Sequence, residues 1–159
     1  MKKISITILT LLAILSSCEE ENEINIFKGI TETNESGFVI GSVDDSDWNF
    51  DDSWNDKETD LFSESFENMC FIDESYHILA YPNPSNDVCY ISFYLGEDKR
   101  VAYRIVDKDY NVIFSTDSAS STMAISLERM NLSNETIRIY YKVFSENCEL
   151  KGHGDIKKK

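Results

Sequence analysis

The sequence predicts an all-β protein, a small antiparallel β-sandwich of about seven strands preceded by an acidic, partly disordered arm. Two observations point there. After residue 78, short apolar alternations return at close intervals with turn residues between them and no helical crossover, which leaves antiparallel pairing as the way to join them. Before it the chain is polar and acidic: of 29 acids and 15 bases, residues 19–79 hold 18 acids and 2 bases, while residues 80–159 hold 11 of each. The predicted divisions are residues 1–17 (signal peptide), 18–77 (arm) and 78–159 (sandwich). An acidic arm beside a balanced domain lacks the basic footprint that phosphates require, so nucleic acid is not an expected partner.

At the N-terminus, Lys2 and Lys3 precede an apolar run over residues 4–15, too short to span a bilayer and suited to a secretory signal. The run ends in Leu15-Ser16-Ser17-Cys18, a large aliphatic residue, two small ones and a cysteine. This resembles the lipobox of bacterial lipoproteins. The resemblance implies that Cys18 carries diacylglycerol, that the signal is cut just before it, and that the new amine takes a fatty acyl chain such as palmitate. Two or three acyl chains hold a protein far more firmly than one. The acids that follow, Glu19, Glu20, Glu21 and Glu23, resemble the export signal that sends lipoproteins to the outer face in bacteria related to Bacteroides. The expected location is therefore the outer membrane, lipid-anchored and facing the cell exterior.

The arm carries Phe27, Phe38, Trp48, Phe50, Trp54, Phe62, Phe66 and Phe71, more rings than a spacer needs. They are expected to pack the arm onto the sandwich, or onto a protein or glycan partner, because each buried ring removes a large apolar area from water. Gly37 and Gly41 punctuate a possible strand at Phe38-Val39-Ile40. Over residues 59–69, Leu61, Phe62, Ser65, Phe66 and Met69 share one helical face with Thr59 as N-cap, so a helix is expected there. Asp45, Asp47 and Asn49, with Asp51 and Asp56 beyond, match part of a calcium-loop spacing. Phe50 stands where that loop needs its glycine and Asp56 replaces the bidentate glutamate, so no metal ligand and no cofactor is assigned.

The sandwich opens on Ala80 to Leu95, AYPNPSNDVCYISFYL, which holds both prolines. They exclude helix and lead into an alternation of Cys89, Ile91, Phe93 and Leu95 on one face. Further alternations follow at Val101, Tyr103 and Ile105, at Met123, Ile125 and Leu127, and at Ile137, Ile139, Tyr141 and Val143, with a β-rich run from Val112 to Thr116. Turns are expected at Gly96-Glu97-Asp98, at residues 108–111, through the polar run 115–122 and at Ser145-Glu146-Asn147. A last strand is expected near Ile156.

Tyr81-Pro82-Asn83-Pro84-Ser85-Asn86-Asp87, with Tyr103-Arg104-Ile105-Val106-Asp107 and Asn111-Val112-Ile113 at the following intervals, resembles the C-terminal sorting domain of type IX secretion cargo. That family is a small immunoglobulin-like β-sandwich, and the resemblance covers residues 78–159. It departs at Glu135-Thr136-Ile137-Arg138, where the family has a Gly-x-Tyr opening, and at the C-terminal Gly152-His153-Gly154-Asp155-Ile156. Sorting cargo also normally carries a plain signal peptide.

No catalytic motif is present, and no catalytic residue is assigned. His153 between two glycines near Asp155 suits either a terminal turn or an exposed ligand. With Cys18 lipidated, Cys70, Cys89 and Cys148 remain in an oxidising compartment, where one intramolecular pair can form. Cys89 and Cys148 both lie near expected core strands, and their disulfide is predicted to stabilise the fold by about 4 kcal/mol. The expected function is a non-catalytic envelope lipoprotein, an adhesion, assembly or interaction module. The alternatives are a type IX sorting substrate, or a small envelope enzyme or enzyme inhibitor.

Overall fold

The computed structural model describes residues 27–51, 53–96, 98–130 and 135–159. The signal segment, Cys18 and the acids after it lie outside the described residues. The alternations after residue 76 form seven strands: β2 (His77–Tyr81), β3 (Val88–Tyr94), β4 (Arg100–Val106), β5 (Val112–Ala119), β6 (Thr122–Ser126), β7 (Thr136–Ser145) and β8 (Cys148–Lys157). The arm adds an eighth, β1 (Asn49–Phe50). One sheet runs β1-β8-β7-β4-β5 and the other β2-β3-β6, with every neighbouring pair antiparallel. The chain crosses from β5 in one sheet to β6 beside β3 in the other, the Greek-key division of an immunoglobulin-like sandwich.

Inward residues of the two sheets meet in one core: Ala80, Cys89 and Ile91 from the smaller sheet, Ile105, Ile139, Tyr141 and Ile156 from the larger, all buried. Each fully buried aliphatic side chain contributes about 1.5–3 kcal/mol. The arm reaches this core as well. Trp48, in a left-handed conformation (φ 60°), is buried in it and stacks on Tyr141 with ring centroids 6.4 Å apart. Gly154 makes room for that indole, since a Cβ there would collide with the ring, and Gly152 likewise lies against the Asn49 carbonyl. The glycines flanking His153 therefore sit inside β8 to admit the arm, and not at a terminal turn.

The outer face of the larger sheet carries Ala102, Arg104 and Val106 from β4 and Arg138, Tyr140, Lys142 and Phe144 from β7, all buried. The arm covers them. Phe62 lies under the Arg104 guanidinium at 4.6 Å, Trp54 meets Tyr140 edge-on at 5.4 Å, and Phe66 meets Phe144 at 5.9 Å. Here the expected helix over residues 59–69 is replaced. A single turn, α1 (Asp56–Thr59), is capped by Asn55, whose side chain accepts from the Glu58 amide while Glu58 accepts from the Asn55 amide. Beyond it the carbonyls of Leu61 and Glu64 accept from Arg104 Nε (2.9 Å) and Lys142 Nζ (3.1 Å). Bonds to the sheet's cations take up carbonyls that a helix would have used internally.

The cysteine pairing also differs from expectation. Cys70 of the arm is joined to Cys148 at the start of β8, and Cys89 is a buried free thiol, pushed up to about 12 by its burial. Ser85, just before β3, bridges Lys158 at the far end of β8. Cys148 is at the opposite end of that ten-residue strand, about 30 Å from Lys157 at ~3.3 Å per residue, so β3 is entered at the end of β8 remote from Cys148. The polar run 115–122 is mostly strand, since β5 continues to Ala119.

Candidate functional site

Asn83, the asparagine between the two prolines, joins three parts of the chain. It is fully buried; its side-chain amide donates to the carbonyls of Thr31 (3.0 Å) and Asp155 (2.8 Å), and its carbonyl accepts from the Lys157 amide (3.0 Å). Its backbone exchanges hydrogen bonds with Thr33. The arm is thereby hung on the edge of β2 and on β8 at once.

Next to it lies a buried charged cluster. Arg138 holds Asp155 through two bonds of 2.7 Å. Asp47 accepts from the amides of Thr31 (2.8 Å) and Asp155 (2.9 Å), yet burial and the nearby Asp155 charge outweigh those bonds and push its carboxyl up to about 7. Burial, with Arg138 beside it, lowers His153 to about 4. His153 Nδ1 and Trp54 Nε1 are buried without a hydrogen-bond partner among the described residues. The cluster acts as a joint between arm and β8, because its bonds run from residues 31 and 47 to residue 155.

Beside this joint, between β1 and the edge of β2, the surface opens into a groove of about 270 Å³. Val39 and Val43 of the arm, Phe50 of β1 and the segment from Tyr76 to Leu79 line it, together with Asp44, Asp45 and Asp47. Val39 is 54% exposed and Val43 59%, so both present apolar surface to the groove. Among the described residues no lysine or arginine lines the groove. The hydrogen-bond pattern of β2 defines the groove's main-chain wall. The Phe93 amide turns away from β2 to donate to Ser121 (2.7 Å), so Ile78 and Phe93 form the pair of an antiparallel ladder that exchanges no bonds. The amide and carbonyl of Ile78 consequently face the groove. Two residues on, the outward carbonyl of Ala80 is taken by the Thr33 hydroxyl at 2.6 Å.

No family model matches the chain, and no curated protein matches it. Among solved structures it is similar to a DUF3244 family protein with an immunoglobulin-like β-sandwich fold from Bacteroides vulgatus, at 16% identity and a TM-score of 0.40. That likeness covers 72% of this chain and 98% of the other.

The outer face of the smaller sheet flanks the groove. His77 stacks on Tyr94 with centroids 4.2 Å apart, Tyr81 lies 5.8 Å from Tyr90, and Leu79 lies between the two pairs. Tyr90 and Tyr94 stay exposed, as do Phe38 and Ile40 just after the turn over residues 34–37 that Gly37 (φ 80°) closes. The glycine-bounded segment expected as a strand is the returning arm of a short hairpin, paired with residues 32–34 through the Thr33–Val39 bridge and the bonds from Asn34 to Phe38 and from Ile40 to Glu32, and is too short to count as a named strand. The calcium-loop acids are not gathered: Asp47 points inward, Asp51 accepts from Ser53 and Asp56 opens α1. Among the described residues no group of three metal-ligating side chains occurs. Sequence reasoning missed Asn83 and the Ile78 edge. The first had a signal, a polar residue locked between prolines; the second had none, because an open edge depends on which strands are absent beside it.

Proposed function

We propose that the protein is a non-catalytic, lipid-anchored interaction module of the bacterial outer membrane, exposed at the cell exterior, that receives a partner in the groove between β1 and β2. The observation that carries this reading is the outward main chain of Ile78 at an unpaired strand edge, in a solvent-open groove where the exposed Val39 and Val43 stand beside Asp44 and Asp45. The anchor rests on the lipobox-like Leu15-Ser16-Ser17-Cys18. Retention of the C-terminal domain, against its removal as a type IX sorting signal, is supported by the disulfide Cys70–Cys148 and by Trp48 in the core. Cleavage before Ile78 would leave the arm still covalently tied to β8.

The test has three parts. Metabolic labelling with a fatty acid should mark the wild type and lose the band in Cys18→Ser; equal labelling sinks the anchor. A photo-crosslinking residue at Val43 in intact cells should give a discrete adduct that the same residue at Glu146 does not. Mass analysis of the membrane-bound protein should find peptides of β8 as abundant as those of the arm. Their loss, reversed in a strain without type IX secretion, would make the protein a sorting substrate.

A further inference from the structure

Resting on the reading that the groove receives a partner, we propose that its occupant is an extended, basic polypeptide segment that adds as a short strand to the free edge of β2. An amide and a carbonyl on one residue, set at strand spacing, are matched by another extended backbone. The arm already uses the neighbouring stretch in this way: Thr33 and Asn83 exchange main-chain bonds of 2.7 and 3.1 Å. It then leaves the sheet before reaching Ile78, turned back by Gly37, whose added Cβ would meet the Leu79 side chain. The added segment continues where the arm departs. Its alternate side chains fall between Val39 and Val43 on one side and Phe50 on the other.

The charge of the occupant follows from Asp44 and Asp45. Bonds from the Ser46 hydroxyl (2.6 Å) and amide (2.9 Å) hold the Asp44 carboxyl below the usual range, so it is ionised. Asp45 is exposed, and no cation among the described residues lines the groove with them. Asp47 is excluded from recognition because its oxygens serve Thr31 and Asp155 inside the joint. A lysine or arginine beside an apolar residue meets this surface; an acidic segment is repelled by it.

The experiment uses the mature chain and a fluorescent peptide alternating lysine and valine, read by anisotropy. Saturable binding that weakens steeply with salt is expected. N-methylation of alternate peptide amides should weaken binding about tenfold or more, since main-chain bonds carry part of the affinity. Val43→Lys should abolish binding with the thermal midpoint unchanged, Asp45→Asn should flatten the salt dependence, and Tyr90→Ser, outside the groove, should bind as wild type. Equal binding of the N-methylated peptide, of a glutamate–valine peptide, or of the lysine peptide to Val43→Lys overturns the proposal. Binding of a neutral oligosaccharide in place of the peptide, or a concentration-dependent dimer lost in Val43→Lys, also overturns it while leaving the groove a partner site. A missing Val43 photo-adduct in cells would instead remove that broader reading.

Discussion

The two outer faces of the sandwich have had opposite fates. The face of the larger sheet bears Arg104, Arg138 and Lys142 with Tyr140 and Phe144, and every one of them is buried under the arm. The face of the smaller sheet bears His77, Tyr90 and Tyr94, and it stays in water. The cations of the covered face are paired mainly within the sandwich, Arg104 with Asp117, Arg138 with Asp155 and Lys142 with Glu149. The arm adds rings and carbonyls over them, as in Phe62 and the Leu61 carbonyl at Arg104, and one acid, Glu64, at Arg100. Lys142 is 1% exposed and bonds both oxygens of Glu149 on β8 (2.9 and 3.1 Å), and the arm closes over the pair through the Phe66 amide, which donates to Glu149. The covered face is a structural interface in which the charged groups of Arg104, Arg138 and Lys142 all have partners, while Trp54 Nε1 and His153 Nδ1 have none among the described residues. The bare face and the groove beside it leave surface that another molecule can reach.

The comparison breaks most severely if the arm is unstapled. Cys70→Ser should cost about 4–5 kcal/mol in urea unfolding, because the disulfide closes a separation of 78 residues. A loss below ~1 kcal/mol would mean that arm and sandwich are held by packing alone. Lys142→Ala and Lys142→Met each strand Glu149 and should each cost about 3–5 kcal/mol, whereas removing both charges together should cost much less, since replacing a whole buried pair with uncharged packing is near neutral. The pair Lys142→Met with Glu149→Gln tests that directly; if it is as damaging as Lys142→Ala, the ion pair itself and not the desolvated leftover sets the stability.

The joint should also answer to pH. Asp47 is raised to about 7 from 3.8, so the folded protein holds this proton more tightly than the unfolded chain and stability falls as pH rises from about 4 to about 7. His153 is lowered to about 4 from 6.5, so the unfolded chain takes up a proton the folded state refuses and stability falls as pH drops from about 6.5 to about 4. The two trends oppose each other over the shared window. Asp47→Asn should therefore leave stability rising with pH between about 4 and 6.5, and His153→Gln should leave it falling; identical slopes in both variants would dismiss the joint as the origin. The smallest effect belongs to the bare face, where Tyr94→Ser should change stability by no more than ~0.5 kcal/mol. A loss of several kcal/mol there would show that this face, too, is structural.

The seven sandwich strands were legible in the sequence because alternation and turn chemistry are local: a residue's face in a strand follows from its neighbours two positions away. Ile137, Ile139, Tyr141 and Val143 became the inward face of β7, and Glu146-Asn147 became the turn to β8. The periodicity of residues 59–69 was equally local and misled, because Arg104 and Lys142, more than 40 residues away, drew off the carbonyls of Leu61 and Glu64. The division of acids between arm and sandwich was also plain in the sequence, and so was the abundance of rings. What they were for depended on which sheet face lay within reach. Only the tertiary structure decided that Cys148 meets Cys70 and not Cys89, since the two ends of a ten-residue strand look alike in sequence and lie far apart in space. The open edge at Ile78 was decided the same way, by the point at which the arm turns off the sheet, and no run of neighbouring residues records where a distant segment leaves.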